Sequence, residues 1–295
     1  MTMTTAEITQ DAPQPEAAPA PGMVDIKPRN YEFDLETALA ANWHSGDPFK
    51  TAFFNALSMM FPVGEKSFMD AVKAFRDQIT DPALLEDVKG FLGQEAIHSR
   101  EHRKYNERLC ELRGYDLDYM EQPIIKRRDW AYAHLPVISH LYATVAYEHY
   151  TAIMANGTLS NPKWLEGADP AMKALWRWHA IEETEHKAVA FDVLKLAGGT
   201  VKERRISMLL ITVNFVRDTV RNINHMLKRD GYSFWQRMKI WRSGLSFLLG
   251  KDGILRGLGR EWLDYFKADF HPWQHDNRKL LEEVKANVGP EPVLA

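Results

Sequence analysis

The sequence predicts an all-α protein, and three observations carry that prediction. Between about 47 and 199, apolar residues recur at three- and four-residue spacing. Asp-Pro pairs open two of these segments as cap plus first-turn proline, and glycines close them. No alternating run of useful length accompanies them, and no Asn-Gly hairpin lies between alternating strands. The first helix spans about 48–79, with Phe53, Ala56, Met60 and Phe68 on its stripe and a break expected at Pro62-Val63-Gly64. The second opens at Asp81-Pro82 and runs to Arg113, where Gly114 supplies the stop. The third covers about 130–155, with Pro136 near its start and Asn156-Gly157 after its end. The fourth starts at Asp169-Pro170 and ends at Gly198-Gly199; amphipathic helices follow near 203–229 and 233–249.

Composition narrows the function classes. A chain of 295 residues with 45% hydrophobic and 26% charged side chains is globular rather than disordered, collagen-like or a rod. Forty acidic against 37 basic side chains give a net charge of −3, so no nucleic-acid partner is expected. Cys110 is the single cysteine, which excludes an internal disulfide and a thiolate zinc site and points to a reducing, cytoplasmic setting. Residues 1–24 lack Lys, Arg and an apolar run; they read as a disordered tail rather than a signal peptide. The longest apolar run, 206–216, would span about 16 Å as a helix, half of a bilayer core.

The chemistry lies in a repeat. DPALLEDVKGFLGQEAIH and DPAMKALWRWHAIEETEH share the cap, the proline, a Glu 14 residues after the Asp, and a His three later. Glu95 with His98, and Glu183 with His186, therefore each occupy one helix face. Two such helices, plus one Glu from each of two others, compose the di-metal site of a ferritin-like four-helix bundle. Glu65 in FPVGEKSF and Glu148 in AYEHY are the two further carboxylates, both in apolar surroundings where an unpaired charge is costly. A single Glu-x-x-His is more often a solvated face; a second at matching depth, each after an apolar helix carrying a Glu, favours metal. Oxygen and nitrogen donors without thiolate suit two iron ions, with manganese or zinc as substitutes.

His179, Glu183 and His186 share one stripe, whereas Phe91 stands at the position of the first repeat equivalent to His179. Spacing leaves His179 either as a further ligand or as a supporting or surface histidine. His102 falls near the Glu95–His98 face and is expected as a hydrogen-bonding support. Glu182 and Glu185 have no His three residues on, so Glu183 is preferred as ligand.

The set Glu65, Glu95-x-x-His98, Glu148 and His179-x-x-x-Glu183-x-x-His186 resembles that of the ferritin-like di-iron oxygenases, in particular the three-histidine arylamine N-oxygenases. From about 25 to the Asp269-Phe-His-Pro-Trp segment, the chain also resembles a bacterial family labelled "predicted metal-dependent hydrolase". The first resemblance implies a di-iron oxidoreductase, with His179 as a further ligand. It would activate O₂ to hydroxylate, desaturate or N-oxygenate a hydrophobic organic substrate, with electrons from a separate reductase. The second implies a di-metal hydrolase that activates water. A non-catalytic iron-binding bundle is a third reading. The oxygenase is the main expectation. The organisation expected is a tail over 1–24, a di-metal bundle over 25–200, and C-terminal amphipathic helices and tail over 201–295 packed on it.

Residues 201–260 hold 13 Lys or Arg against 4 Asp or Glu, a net of +9, interleaved with Phe234, Trp235, Met238, Trp241, Phe247 and Leu248. Two readings compete: peripheral contact with an anionic inner-membrane surface, and docking on the bundle with a basic outer face. Docking is the commoner use of amphipathic helices and is preferred. In DFHPWQHD, His271 and His275 read as satisfied loop histidines rather than a second metal site, with Trp273 as a packing anchor.

Overall fold

A computed structural model describes Gly22 and residues 24–287. The tail expected over 1–24 lies outside these, apart from Gly22 and Val24. Among the described residues there are twelve α-helices, three short 3-10 turns and no strand; an isolated bridge joins His44 to Ala168. In chain order the helices are α1 (Glu36–Leu39), α2 (Pro48–Ser58), α3 (Phe61–Lys73), α4 (Pro82–Arg113), α5 (Leu117–His134) and α6 (Val137–Ser160). There follow α7 (Pro170–His186), α8 (Val189–Leu196), α9 (Val201–Arg229), α10 (Phe234–Leu249), α11 (Ile254–Asp264) and α12 (Arg278–Asn287).

The Asp-Pro starts behave as their chemistry dictates. The carboxylates of Asp81 and Asp169 each accept from an N–H of the first turn, at 2.9 Å from Ala83 and Ala171. Gly114, at φ +65°, ends α4 in the left-handed region that side chains avoid.

Several boundaries differ from expectation. The helix expected over 48–79 is two helices, and the break falls at Met59-Met60 rather than at Pro62-Val63-Gly64. Pro62 sits in the first turn of α3, where its missing N–H costs nothing. The helix expected over about 130–155 is likewise divided: 130–134 finish α5, Leu135 is extended before Pro136, and α6 starts at Val137. Asn156-Gly157 do not end α6. Gly157 is there for closeness, because a Cβ on it would lie 2.0 Å from the Trp164 ring. The last helix of the repeat stops at His186, and α8 resumes at Val189.

α3 lies along α4, α6 along α7, and α3 also packs on α6; α9 covers α2 and α6. The C-terminal helices dock by one face. Met208, Ile223, Met226 and Leu227 of α9 are buried, and Trp241 of α10 meets Phe49 edge-on at 5.0 Å. Phe234, Trp235 and Met238 face outward, as do Ile206, Leu209 and Leu210 of α9. No helix among the described residues is long and apolar enough to cross a membrane. Cys110 is buried, and burial pushes its thiol up to about 12, so it is held protonated.

Candidate metal centre

Helices α3, α4, α6 and α7 bring seven buried side chains together. Glu65 comes from α3, Glu95 and His98 from α4, Glu148 from α6, and His179, Glu183 and His186 from α7. Their donor atoms form two groups, each with its atoms within 4.8 Å of one another: Glu65, His98 and His179, and Glu95, Glu148, Glu183 and His186. Glu183 reaches both. Its Oε1 is 3.3 Å from His98 Nδ1 and 3.3 Å from His179 Nε2, and its Oε2 is 3.5 Å from His186 Nε2. His186 Nε2 is also 3.1 Å from Glu95 Oε1 and 3.6 Å from Glu148 Oε2.

This donor set fits metal. Both carboxylate oxygens of Glu65, Glu95 and Glu148, and Nε2 of His179 and His186, are buried with no hydrogen-bond partner. Each such orphan costs about 1–3 kcal/mol unless something satisfies it. The atoms converge at short range without the alignment of hydrogen bonds. With all four carboxylates ionised and the three imidazoles neutral, the set would carry the negative charge that two divalent cations cancel. Burial, then the neighbouring Glu95, pushes Glu65 and Glu148 well above the usual carboxylate range. Burial also opposes ionised Glu183, but His186 and His179 outweigh it and hold that carboxyl well below.

A shell of hydrogen bonds fixes which nitrogen of each histidine faces inward. His186 Nδ1 donates to Gln94 Oε1 at 2.8 Å, and Gln94 Nε2 donates to Glu185 Oε2 at 2.7 Å. Behind His179 the order is set by Ser58, whose hydroxyl donates to Asn106 Oδ1 at 2.6 Å. His102 Nδ1 then donates to Ser58 Oγ at 2.8 Å, and His102 Nε2 accepts from His179 Nδ1 at 3.2 Å. In both cases the Nε2 lone pair is left pointing into the centre. Burial, then His179, keeps His102 neutral by lowering it well below the usual imidazole range. His102 thus stands behind His179 as a hydrogen-bonding neighbour.

Glu182 Oε2 lies 3.0 Å from His98 Nε2, and Glu182 Oε1 accepts from the Arg29 backbone N–H at 2.9 Å. The Arg29 guanidinium clasps Glu185 at 2.6 and 2.8 Å, and Lys285 of α12 reaches the same carboxylate at 2.5 Å. Sequence reasoning missed Arg29, Gln94, Ser58, Asn106 and Lys285. Gln94 had a signal in its place beside Glu95; the others come from distant segments with no motif to mark them.

Apolar rings bound the centre. Phe61 stacks on His179 at 4.8 Å, and Phe91 meets His186 edge-on at 5.0 Å. On the His179 side lies a cavity of about 710 Å³, with Phe61, Gly64 and His179 in its wall. The histidines of the 269–276 segment go elsewhere. His271 pairs with Asp192 and His275 with Asp264, each at 3.0 Å, and Trp273 is buried beneath Lys187 Nζ at 4.0 Å.

The model of a family described as "Predicted metal-dependent hydrolase" matches residues 27–276. No curated protein and no solved structure matches the chain. The chain belongs to this metal-dependent family. That membership overturns the oxygenase expectation. The correction has a physical reason: the motif specifies a place for two cations among carboxylates and imidazoles, and such a place serves water activation as readily as oxygen activation.

Proposed function

We propose that this member of the predicted metal-dependent hydrolase family hydrolyses an organic substrate at a two-metal centre held by Glu65, Glu95, His98, Glu148, His179, Glu183 and His186. The observation that carries the reading is the seven buried donors in two groups shared by Glu183, their inward atoms without hydrogen-bond partners. When bound, two divalent cations supply Lewis acidity and a water-derived nucleophile at neutral pH. The remaining work belongs to the chain. Glu183 spans the two positions. Gln94 and His102 each hold a histidine in the tautomer that offers Nε2. Phe61 and Phe91 keep bulk water from the imidazoles. Helices α3, α4, α6 and α7 serve as a ferritin-like bundle over 25–200, and the C-terminal helices serve as its outer wall. Iron, manganese and zinc all accept this oxygen and nitrogen set.

The test is elemental analysis of purified protein, followed by a panel of ester, amide and phosphoester substrates assayed before and after chelation. Two metals per chain, with hydrolysis lost on chelation and restored by the same metal, are expected. Protein that binds no metal, or hydrolysis indifferent to chelation, overturns the reading.

A further inference from the structure

The 710 Å³ cavity is long rather than round. Its wall on α6 follows one face of that helix from Ile138 to Thr158, a run of about 30 Å, whereas a sphere of that volume would be about 11 Å across. One region of the wall contains His179; another contains the exposed apolar side chains Trp130, Leu135, Ile206 and Leu210 on α5 and α9 and the loop before α6. The cavity therefore joins the metal centre to an apolar mouth.

Many of its polar wall groups are already engaged, with Trp176 Nε1, buried without a partner, as an exception. The hydroxyls of Ser67, Thr144, Thr151 and Thr158 each donate to a backbone carbonyl of their own helix, at 2.8–3.0 Å. Tyr150 is paired with Thr212 at 2.7 Å, and Arg127 is held by Asp218. A polar ligand would find few free partners along this stretch of wall, whereas a hydrocarbon gains from its apolar surface.

We propose that the cavity binds the hydrocarbon chain of a long-chain acyl ester, with the ester carbonyl at the His179 end. Cleavage there rests on the hydrolytic reading; chain binding rests on the cavity alone. In the reaction, water adds across the acyl C–O bond. The carbonyl carbon gains the hydroxyl, the departing oxygen gains the proton, and a carboxylic acid and an alcohol are released without electron transfer.

Calorimetric titration of the full chain with straight-chain primary alcohols of increasing length tests the site without requiring catalysis. Affinity is expected to rise about fourfold with each added methylene until the cavity is filled. Ala143→Phe, which narrows the wall, should move that plateau to shorter chains. Leu210→Glu changes an exposed residue of the mouth, spares the core, and should weaken binding of every length at least tenfold. Affinity independent of chain length, or unchanged binding in both folded variants, overturns the proposal. A matching series of acyl esters separates the two readings. Hydrolysis that follows the same length profile supports both. Chain-dependent binding with no ester cleavage overturns only the ester chemistry. Cleavage indifferent to chain length overturns the chain site and leaves the hydrolytic reading standing.

Discussion

Helices α4 and α7 are built on one repeat but equip the centre differently. Each supplies a Glu-x-x-His pair, yet four residues before the Glu, α4 has Phe91 and α7 has His179. His179 leans on His98, with ring centres 4.4 Å apart, and opens on the cavity. Phe91 sits edge-on to His186 and closes that side. One candidate group is thus rich in nitrogen and next to a cavity; the other is rich in carboxylate and walled by an aromatic ring. The repeat gives the two groups a common plan, and one departure from it decides which of them adjoins the cavity.

The heaviest blow to this comparison is Glu183→Ala, because Glu183 alone reaches both groups. Elemental analysis should find both metals lost, with helical circular dichroism retained. Glu95→Ala should deplete the second group first. Full metal occupancy in both variants removes the assignment.

Chelation of the natural protein comes next. If the metals are present at about a thousand times their dissociation constants, each contributes about 4 kcal/mol, so removal of both should lower Tm on the order of 20 °C. Relative to the loaded protein, the stripped protein should also lose stability as pH rises from about 6.5 to about 10, the window that His98 sets. Glu65 and Glu148 have folded pKa values raised by burial and by Glu95, so their protonated forms favour the folded state and are withdrawn as pH climbs. His98 acts in the same direction: burial is outweighed by Glu182 and Glu183, which raise it to about 10. Thermal scans across pH, with and without metal, check the sign. A stripped protein that gains stability over this range contradicts it.

His179→Ala removes a donor from the first group only and should empty one position while sparing the other. Support residues should cost less: His102→Ala for the first group and Gln94→Leu for the second each lower metal affinity about 10–100-fold. If His102→Ala proves worse than His179→Ala, the ligand face has been misread.

The mildest test restores the symmetry. Phe91→His offers the second group its missing nitrogen. It should alter the visible spectrum of the cobalt-substituted protein while costing about 1–3 kcal/mol for burying a polar ring. An unchanged spectrum would show that the side chain at 91 stops short of the centre, and that the two halves differ in reach as well as in residue.

The helical class and the seven converging residues were legible because helical spacing and Asp-Pro caps are local signals. Helix α5 was not. It carries Pro123 and buries only Met120 and Glu121, so it shows no apolar stripe to read. Gly157 looked like a stop because its reason, the Trp164 ring, arrives from the following turn. The outer support of the centre was hidden for a related cause. Arg29 and Glu185 are 156 residues apart, and nothing in either neighbourhood announces the pairing. The reaction was the least legible feature, since the same ligands suit either chemistry and only membership of the family favours hydrolysis.

Glu185 has a further consequence, in the time course of synthesis. Arg29 leaves the ribosome well before α7, but Lys285 follows Glu185 by 100 residues. At about 5–20 residues per second that interval lasts roughly 5–20 s. Throughout it, the carboxylate that steadies Gln94, and through Gln94 the ring of His186, has one of its two cations. A chain released before α12 keeps all seven candidate ligands, but the carboxylate behind one of them is held by Arg29 alone.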